Sequence, residues 1–408
     1  YNPVHRTVYK AIEDLSHELK PIDLYTVTER LKSEGTLKEV GGAPFLAQLT
    51  QKVGSAAHVE FHAKIIAQKY VQRELIRSST EIQRKAYDES KDVTELIGFA
   101  EQEIFRVAEG HVKRSVQDSK SVLAKTLKSI EEAGKNKDSF SGVPSGFVGI
   151  DRETLGWQPS DLVILAARPA MGKTAFTLTM ARNMAVDQKI PIAMFSLEMS
   201  NVQLVNRLLV NVCEISGEKI KSGQLAPYEW SQLSLKMNEL YGAPFYVDDT
   251  PSLSVFELRT KARRLVRDYG VKMIIIDYLQ LMSGSGYGKN SDNRVNVVSD
   301  ISRSLKIMAK ELNIPVLVCA QLARTTEKQA NHRPALADLR ESGSIEQDAD
   351  VVIGLYRDGY YNRECENPNL AEAIVLKNRK GEVGPVKLTW LPEYTAFAPY
   401  EGRYDDEY

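Results

Sequence analysis

Apolar residues first recur along this chain at helical spacing. Val4, Val8, Ile12, Leu15 and Leu19 fall on one face and predict an opening helix. Pro21 breaks the run, and Leu24, Val27 and Leu31 resume it until Gly35. Gly41-Gly42 with Pro44 marks a further turn. A long helix is predicted from Ala57 to Asp88 and one more over Val93–Val107. Residues 1–107 therefore read as an all-α N-terminal domain, without a catalytic constellation and suited to packing or partner binding. The character changes over 108–147, which is rich in Ser, Lys and Asp and ends in Ser139-Phe140-Ser141-Gly142-Val143-Pro144-Ser145-Gly146. Within this linker Val122, Leu123, Leu127 and Ile130 suit a short amphipathic helix. A solitary helix cannot bury its apolar face alone, so it docks on a neighbouring subunit or packs on its own domain.

From Val148 to the end, short apolar runs alternate with helical spans. Strands are predicted at Leu162–Ala167, Ile192–Ser196, Phe245–Val247, Met273–Asp277, Val316–Ala320 and Val351–Tyr356. Helices fall between them, Val255–Asp268 and Val295–Leu312 among them. That order implies an α/β fold, a parallel sheet with helices on both faces. Ala373–Lys377, Val386–Trp390 and Thr395–Ala398 read as hairpin strands added at one edge. No internal repeat is present.

A length of 408 residues exceeds one ordinary core and agrees with this division. Hydrophobic residues at 43% and charged ones at 26% describe a soluble globular chain. Lys and Arg number 53 against 54 Asp and Glu, a formal charge of −1, so nucleic acid must be met by a local basic patch. Cys213, Cys319 and Cys365 are far apart and point to a reducing compartment. His58 and His62 are four residues apart, but no carboxylate or Cys pattern makes them zinc ligands. No apolar run approaches the ~20 residues of a membrane span, and no signal peptide is evident. The chain opens at Tyr1 rather than Met, so a natural N-terminal piece is expected to be missing.

The most informative segment is Leu162–Thr174, LVILAARPAMGKT. A buried strand runs into a tight loop ending in Gly172-Lys173-Thr174, and a helix follows over Ala175–Ala185. This is a phosphate-binding loop. Backbone N–H groups across Ala170, Met171, Gly172 and Ala175 wrap phosphates, Lys173 reaches the terminal ones, and the Thr174 hydroxyl sits on Mg²⁺. Ala167 stands where the first Gly of the pattern is expected, which a negative φ permits. Met273–Asp277 ends a strand in a carboxylate, which can hold Mg²⁺ beside Thr174 or cap the next turn. Glu198 follows the second strand and can deprotonate an attacking water; alternatively it is an exposed acid before a helix capped by Ser200. Gln321 ends a third strand and can sense a γ-phosphate or serve as a structural amide. Lys377 and Arg379 share one side of a late strand, either as a cation pair for a neighbour's nucleotide or as a basic hairpin tip. The polar stretch Leu336–Asp350, with Arg340 and Gly343, suits a phosphodiester backbone. The Gly-rich loop 283–296 could reach nucleic acid too, or be a solvated surface loop.

In this order, ARPAMGKT, SLEMS, MIIIDYLQLM, VCAQLAR, LADLRESGSIEQDAD and a late K-x-R resemble the DnaB-type replicative DNA helicases of bacteria. YNPVHRTVYKAI and LYTVTERL resemble that family's helical N-terminal domain, so the likeness spans essentially the whole chain. The resemblance implies a homohexameric ring with RecA-like ATPase domains, moving 5′ to 3′ on single-stranded DNA with ATP and Mg²⁺. It also implies an N-terminus a few dozen residues longer. Lys173 and Thr174 then match the phosphate-loop ligands, Glu198 the catalytic base and Asp277 the metal ligand. Arg207 and Gln321 match nucleotide-site residues, and Lys377 and Arg379 the pair that reaches the adjacent subunit's ATP. Arg340, Glu341 and Gly343 match the loop that holds DNA. The implied partners are primase, a helicase loader and the clamp-loader complex, and the implied location is the cytoplasm at the nucleoid. Two other readings share the core: a RecA-type strand-exchange ATPase, which lacks the leading helical domain, and a catalytically silent scaffold ATPase, which the joint presence of Glu198 and Asp277 opposes.

Overall fold

The computed structural model describes residues 2–18, 20–51, 59–88, 140–279, 294–323, 332–362 and 364–400, with isolated positions between 93 and 127 and at 282. The chain divides into two compact units, 1–91 with 103–113, and 92–102 with 114–408.

The first unit is helical. Helices Pro3–His17, Leu24–Ser33 and Gly42–Gln51 enclose a core of Val8, Ala11, Leu15, Val27, Leu31 and Leu46. The first helix starts because the Asn2 side chain accepts the Val4 N–H at 3.1 Å and Pro3 needs no donor there. Asp23 starts the second by accepting two backbone N–H groups at 2.8 Å, while Thr26 answers by accepting a bond from Asp23 N. Leu19, expected on the first apolar face, lies outside the described residues. Gly41 and Gly42 turn the chain with φ of 98° and 74°. Pro44 is no breaker, however: it stands in the first turn of the third helix, where a missing N–H costs nothing. The sequence pattern shows only a turn there. The long helix runs over Val59–Ala86. Of the expected linker helix, Leu123 and Leu127 are helical and exposed, whereas Val122 and Ile130 lie outside the described residues.

The second unit is built on a nine-stranded sheet of order β3-β2-β4-β5-β1-β6-β7-β8-β9. Its strands are β1 Leu162–Ala167, β2 Ile192–Ser196, β3 Phe245–Asp248, β4 Met273–Asp277, β5 Val316–Gln321, β6 Val351–Tyr356, β7 Leu370–Asn378, β8 Gly384–Leu391 and β9 Ala396–Pro399. The first six are parallel and the last three antiparallel, so the sheet is mixed and carries its added strands beside β6. Side chains alternate between two cores. Leu162, Ile164 and Ala166 face the layer that holds Leu258, Ala262, Leu305 and Met308, from helices Val255–Tyr269 and Arg294–Leu312. Val163, Leu165 and Ala167 face helix Lys173–Ala181 through Phe176 and Met180. Each fully buried aliphatic side chain stabilises by about 1.5–3 kcal/mol, which is why a strand covered on both faces is apolar throughout. The helix after the phosphate loop reads from sequence as one α-helix to Ala185; it changes to a π-helical turn over Arg182–Asp187. Leu336–Ser342 and Gly343–Asp348 are two short helices rather than an open polar loop. Asp338 starts the first by accepting the Ala335 N–H at 2.9 Å, and Leu339 and Ile345 anchor the pair in the core.

Candidate active site

The C-terminal ends of β1, β4 and β5 lie side by side, with β2 beyond β4. In open α/β sheets this edge forms the ligand crevice. Ala167 is in register with Gln321 and Ser196 with Asp277, and since Ile276 pairs with Val318, the ends of β1 and β5 reach two residues beyond those of β2 and β4 at the same side of the sheet. A cavity of about 360 Å³ opens there. Its walls include Ala170, Gly172, Lys173, Thr174, Ala175, Glu198, Arg207, Asp277 and Gln321.

Ala167 is the last residue of β1 and keeps extended backbone, which explains why no Gly is needed there. The positive φ values fall on Ala170 at 64° and Gly172 at 101°. A Cβ on Gly172 would lie 3.1 Å from the Phe397 ring and 3.5 Å from Trp390, so any other residue would be strained by its φ and would push the Phe397 ring back. Lys173 Nζ donates to the Ala167 carbonyl at 3.1 Å and keeps further N–H donors for a ligand. Burial pushes its pKa down, while Asp277 and Glu198 work against that shift. The Thr174 hydroxyl donates to Asp277 Oδ2 at 2.7 Å. Asp277 is buried at 1% exposure. One hydroxyl and one carboxylate in contact, beside a phosphate loop, fit Mg²⁺, which takes one or two protein oxygens and completes its shell with phosphate and water.

Ser200 caps helix Asn201–Cys213 through a capping box with Gln203, as its position predicts. Glu198 stands just ahead, exposed on the cavity wall, and Arg207 is reached two turns into the helix. Met171 differs from its neighbours in the loop: its side chain is buried in the core, so it can serve a ligand through its backbone alone. Cys319 lies beside Leu165 in register, and burial pushes its thiol far up, which makes it a neutral packing group.

Lys377 and Arg379 are not in this cavity. Lys377 pairs with Val352 near the start of β6, and Arg379 N donates to the Asp350 carbonyl at 3.0 Å. Asp350 N in turn donates to Leu162 O, so the pair is level with the beginning of β1. The phosphate loop begins past the other end, roughly 15–20 Å away at the rise of a parallel strand. Burial, and then the charge of Arg379, lower the Lys377 pKa. Arg340 and Glu341 belong to the short helix Leu336–Ser342, and Gly343 begins the next one. Their side chains lie outside the described residues, as does the segment 283–293.

Sequence reading missed Arg168, Pro169, Tyr278, Trp390 and Thr395, which also line the cavity. Arg168 and Tyr278 directly adjoin motif residues and could have been included. Trp390 carries no such signal. It arrives from β8, under the Arg357 guanidinium at 4.2 Å, and Arg357 in turn donates to the Ala170 carbonyl at 3.4 Å.

The chain is similar to known proteins over its whole length. Residues 142–399 match the DnaB-like helicase C terminal domain, and residues 1–68 the DnaB-like helicase N terminal domain. The chain is 43% identical over 406 residues to the replicative DNA helicase DnaC of Bacillus subtilis (strain 168), covering 100% of this chain and 89% of that protein. It is 42% identical over 406 residues to the replicative DNA helicase DnaB of Geobacillus stearothermophilus, with the same 100% and 89% coverage. A solved structure described as that of a DnaB-like replicative helicase and its interactions with primase superposes with a TM-score of 0.75 at 33% identity, covering 98% of this chain and 93% of that one. A second solved structure, described as an ATPase domain, superposes with a TM-score of 0.66 at 39% identity, over 70% of this chain and 100% of its own.

Proposed function

The chain belongs to the DnaB-like helicase family, and from that premise we infer that it is a replicative DNA helicase driven by nucleotide hydrolysis, with ATP as its fuel. One observation carries the mechanism. Lys173, Thr174, Glu198, Asp277 and Gln321 meet around one cavity, while Lys377 and Arg379 are held at the opposite edge of the same sheet. A protomer therefore carries two halves of a catalytic site that cannot meet within one chain. A homohexameric ring joins them by setting each pair against the next subunit's nucleotide.

Backbone N–H groups from Ala170 to Ala175 bind the phosphates, and Lys173 adds positive charge at the terminal ones. Mg²⁺ would be held by Thr174 and Asp277 and would neutralise charge on the β- and γ-phosphates. Glu198 accepts a proton from water as its oxygen bonds to the γ-phosphorus; the bond from that phosphorus to the bridging oxygen breaks, and ADP leaves. Gln321 orients the water or the γ-phosphate, and Arg207 flanks the nucleotide. Arg379 and Lys377 of the adjacent subunit neutralise charge on the transferred group. Loss of that group loosens the interface. Arg340, Glu341 and Gly343 hold single-stranded DNA, which is carried along 5′ to 3′. Binding to the strand should weaken steeply with salt and vary little with sequence.

In this reading residues 1–107 form the ring's helical collar, 108–147 the linker whose helix docks on the neighbour, and 148–408 the motor. Primase, a loader and the clamp-loader complex are its partners. No described helix is long and apolar enough to cross a membrane, and work on a replication fork sets it in the cytoplasm at the nucleoid.

Forked-duplex unwinding with ATP, with the protein's mass measured alongside, tests the assignment. Displacement of one strand by a six-chain particle is expected. A filament without unwinding would instead indicate strand exchange. Glu198→Gln should lower ATP turnover by about 10²–10⁴ while nucleotide binding persists. Turnover equal to wild type in a coupled ADP-release assay would remove Glu198 from the role of base and favour the scaffold reading.

A further inference from the structure

Asp350 immediately precedes β6 and is buried, with 5% exposure. Its Oδ2 accepts the Leu162 N–H at 2.8 Å and pairs with Lys306 Nζ. Its Oδ1 faces Arg379 Nη1 at 3.7 Å, and its backbone carbonyl accepts the Arg379 N–H at 3.0 Å. Arg379 Nη2 donates to the Gln347 carbonyl and Lys377 Nζ to that of Glu346. Both carbonyls belong to the last turn of helix Gly343–Asp348. A helix end leaves such carbonyls without partners along the helix and favours cations there. The two cations proposed to serve the neighbour thus cap a helix of their own chain.

Lys306 comes from helix Arg294–Leu312 and also donates to the Ser160 carbonyl at 2.8 Å. The same helix touches helix Gly343–Asp348 through Ser299 and Ser344, whose hydroxyls are 2.7 Å apart. Asp350 therefore ties Arg379 to the helix that carries Lys306, while Arg379 and Lys377 themselves reach helix Gly343–Asp348. That second helix begins at Gly343, within the stretch Leu336–Asp350 whose sequence suits a DNA backbone.

Resting on the helicase reading above, we propose that Asp350 is a positioning residue that couples the Arg379–Lys377 pair to the DNA-facing segment at Gly343. To meet a neighbour's γ-phosphate, the two side chains must release the Gln347 and Glu346 carbonyls. That release uncaps helix Gly343–Asp348. Asp350 stays fixed on Leu162 and Lys306, so the uncapped helix shifts against a firm anchor and takes the strand at its start with it. In the other direction, a strand that draws this helix away frees the cations to engage the nucleotide next door, so DNA binding and that engagement favour one another.

ATP turnover of the full chain, assembled, with and without a single-stranded oligonucleotide, tests this. Asp350→Asn keeps the volume and an acceptor for Leu162 but removes the charge that faces Arg379 and Lys306. The ratio of stimulated to basal turnover should fall about fivefold or more, with KM for ATP changing less than the stimulated kcat. Lys306→Met should reproduce that loss and Lys306→Arg should restore the ratio. A merely structural carboxylate would lower both turnovers in parallel, and an unchanged ratio overturns the proposal. If Asp350→Asn does not fold, an unchanged ratio in Lys306→Met overturns it equally. Wild-type protein that DNA fails to stimulate would overturn the helicase reading itself; normal wild-type stimulation with indifferent variants overturns the coupling alone.

Discussion

Rings of Arg379→Ala should hydrolyse ATP about 10³–10⁵ times more slowly than wild type, the range seen when an arginine supplied by a neighbour is lost. Their fold should persist. Arg379 is half-exposed, its pairing with Asp350 is loose at 3.7 Å, and when its bond to the Gln347 carbonyl is lost Lys377 still holds the same helix end, so its removal costs on the order of 1 kcal/mol of stability. Nucleotide affinity should change much less than turnover, since the phosphate loop that binds the nucleotide stays intact and the neighbour's Arg379 acts on charge of the transferred group. Circular dichroism melting and fluorescent-nucleotide binding check those two points, and steady-state turnover checks the loss. Normal hydrolysis by Arg379→Ala rings would end the idea of a shared site.

Lys173→Ala should lower turnover by about 10²–10³, as loss of a single preorganised charge donor does. Lys173 also holds the Ala167 carbonyl, so nucleotide binding weakens as well. The two variants become most informative together. Each alone is nearly inactive. In a mixed ring, an Arg379→Ala subunit offers an intact phosphate loop, and a Lys173→Ala neighbour offers an intact Arg379. Activity should return at those interfaces, in proportion to their number. Were Arg379 to act within its own chain, no mixture would recover any. Subunit exchange is verified by mass with one variant tagged. A fully exchanged yet inactive mixture would refute the split site.

How much of this was legible beforehand depended on distance along the chain. β1, the loop to Thr174 and the following helix are contiguous, so an apolar run and three residues sufficed. Asp277 and Gln321 each end a short apolar strand, and Glu198 follows one by two residues. A parallel sheet sends all such ends to one edge, so their meeting followed from the pattern once the sheet was granted. The position of Lys377 and Arg379 did not follow. It is set by the antiparallel pairing of β7 with β6, and nothing local in the K-x-R shows which end of the sheet that register reaches. Trp390 and Phe397 were invisible as site residues for a similar reason: their chemistry is ordinary, and only packing against Gly172 gives them a role. Gly41-Gly42 with Pro44 marks a turn that is there, but the helix starting at Gly42 leaves no local signal, because proline in a first turn costs no hydrogen bond. Leu336–Asp348 read as loop because its polar residues outnumber Leu339 and Ile345, the two that fix it to the core.

The contact of Phe397 with Gly172 has one more consequence. The phosphate loop is synthesised more than two hundred residues before the aromatic ring that supports it. A nascent motor emerging from the ribosome therefore exposes its loop long before the supporting ring can reach it. Proteolytic nicking that detaches the final strand is therefore expected to slow ATP turnover although no catalytic side chain is removed, which turnover by clipped protein checks.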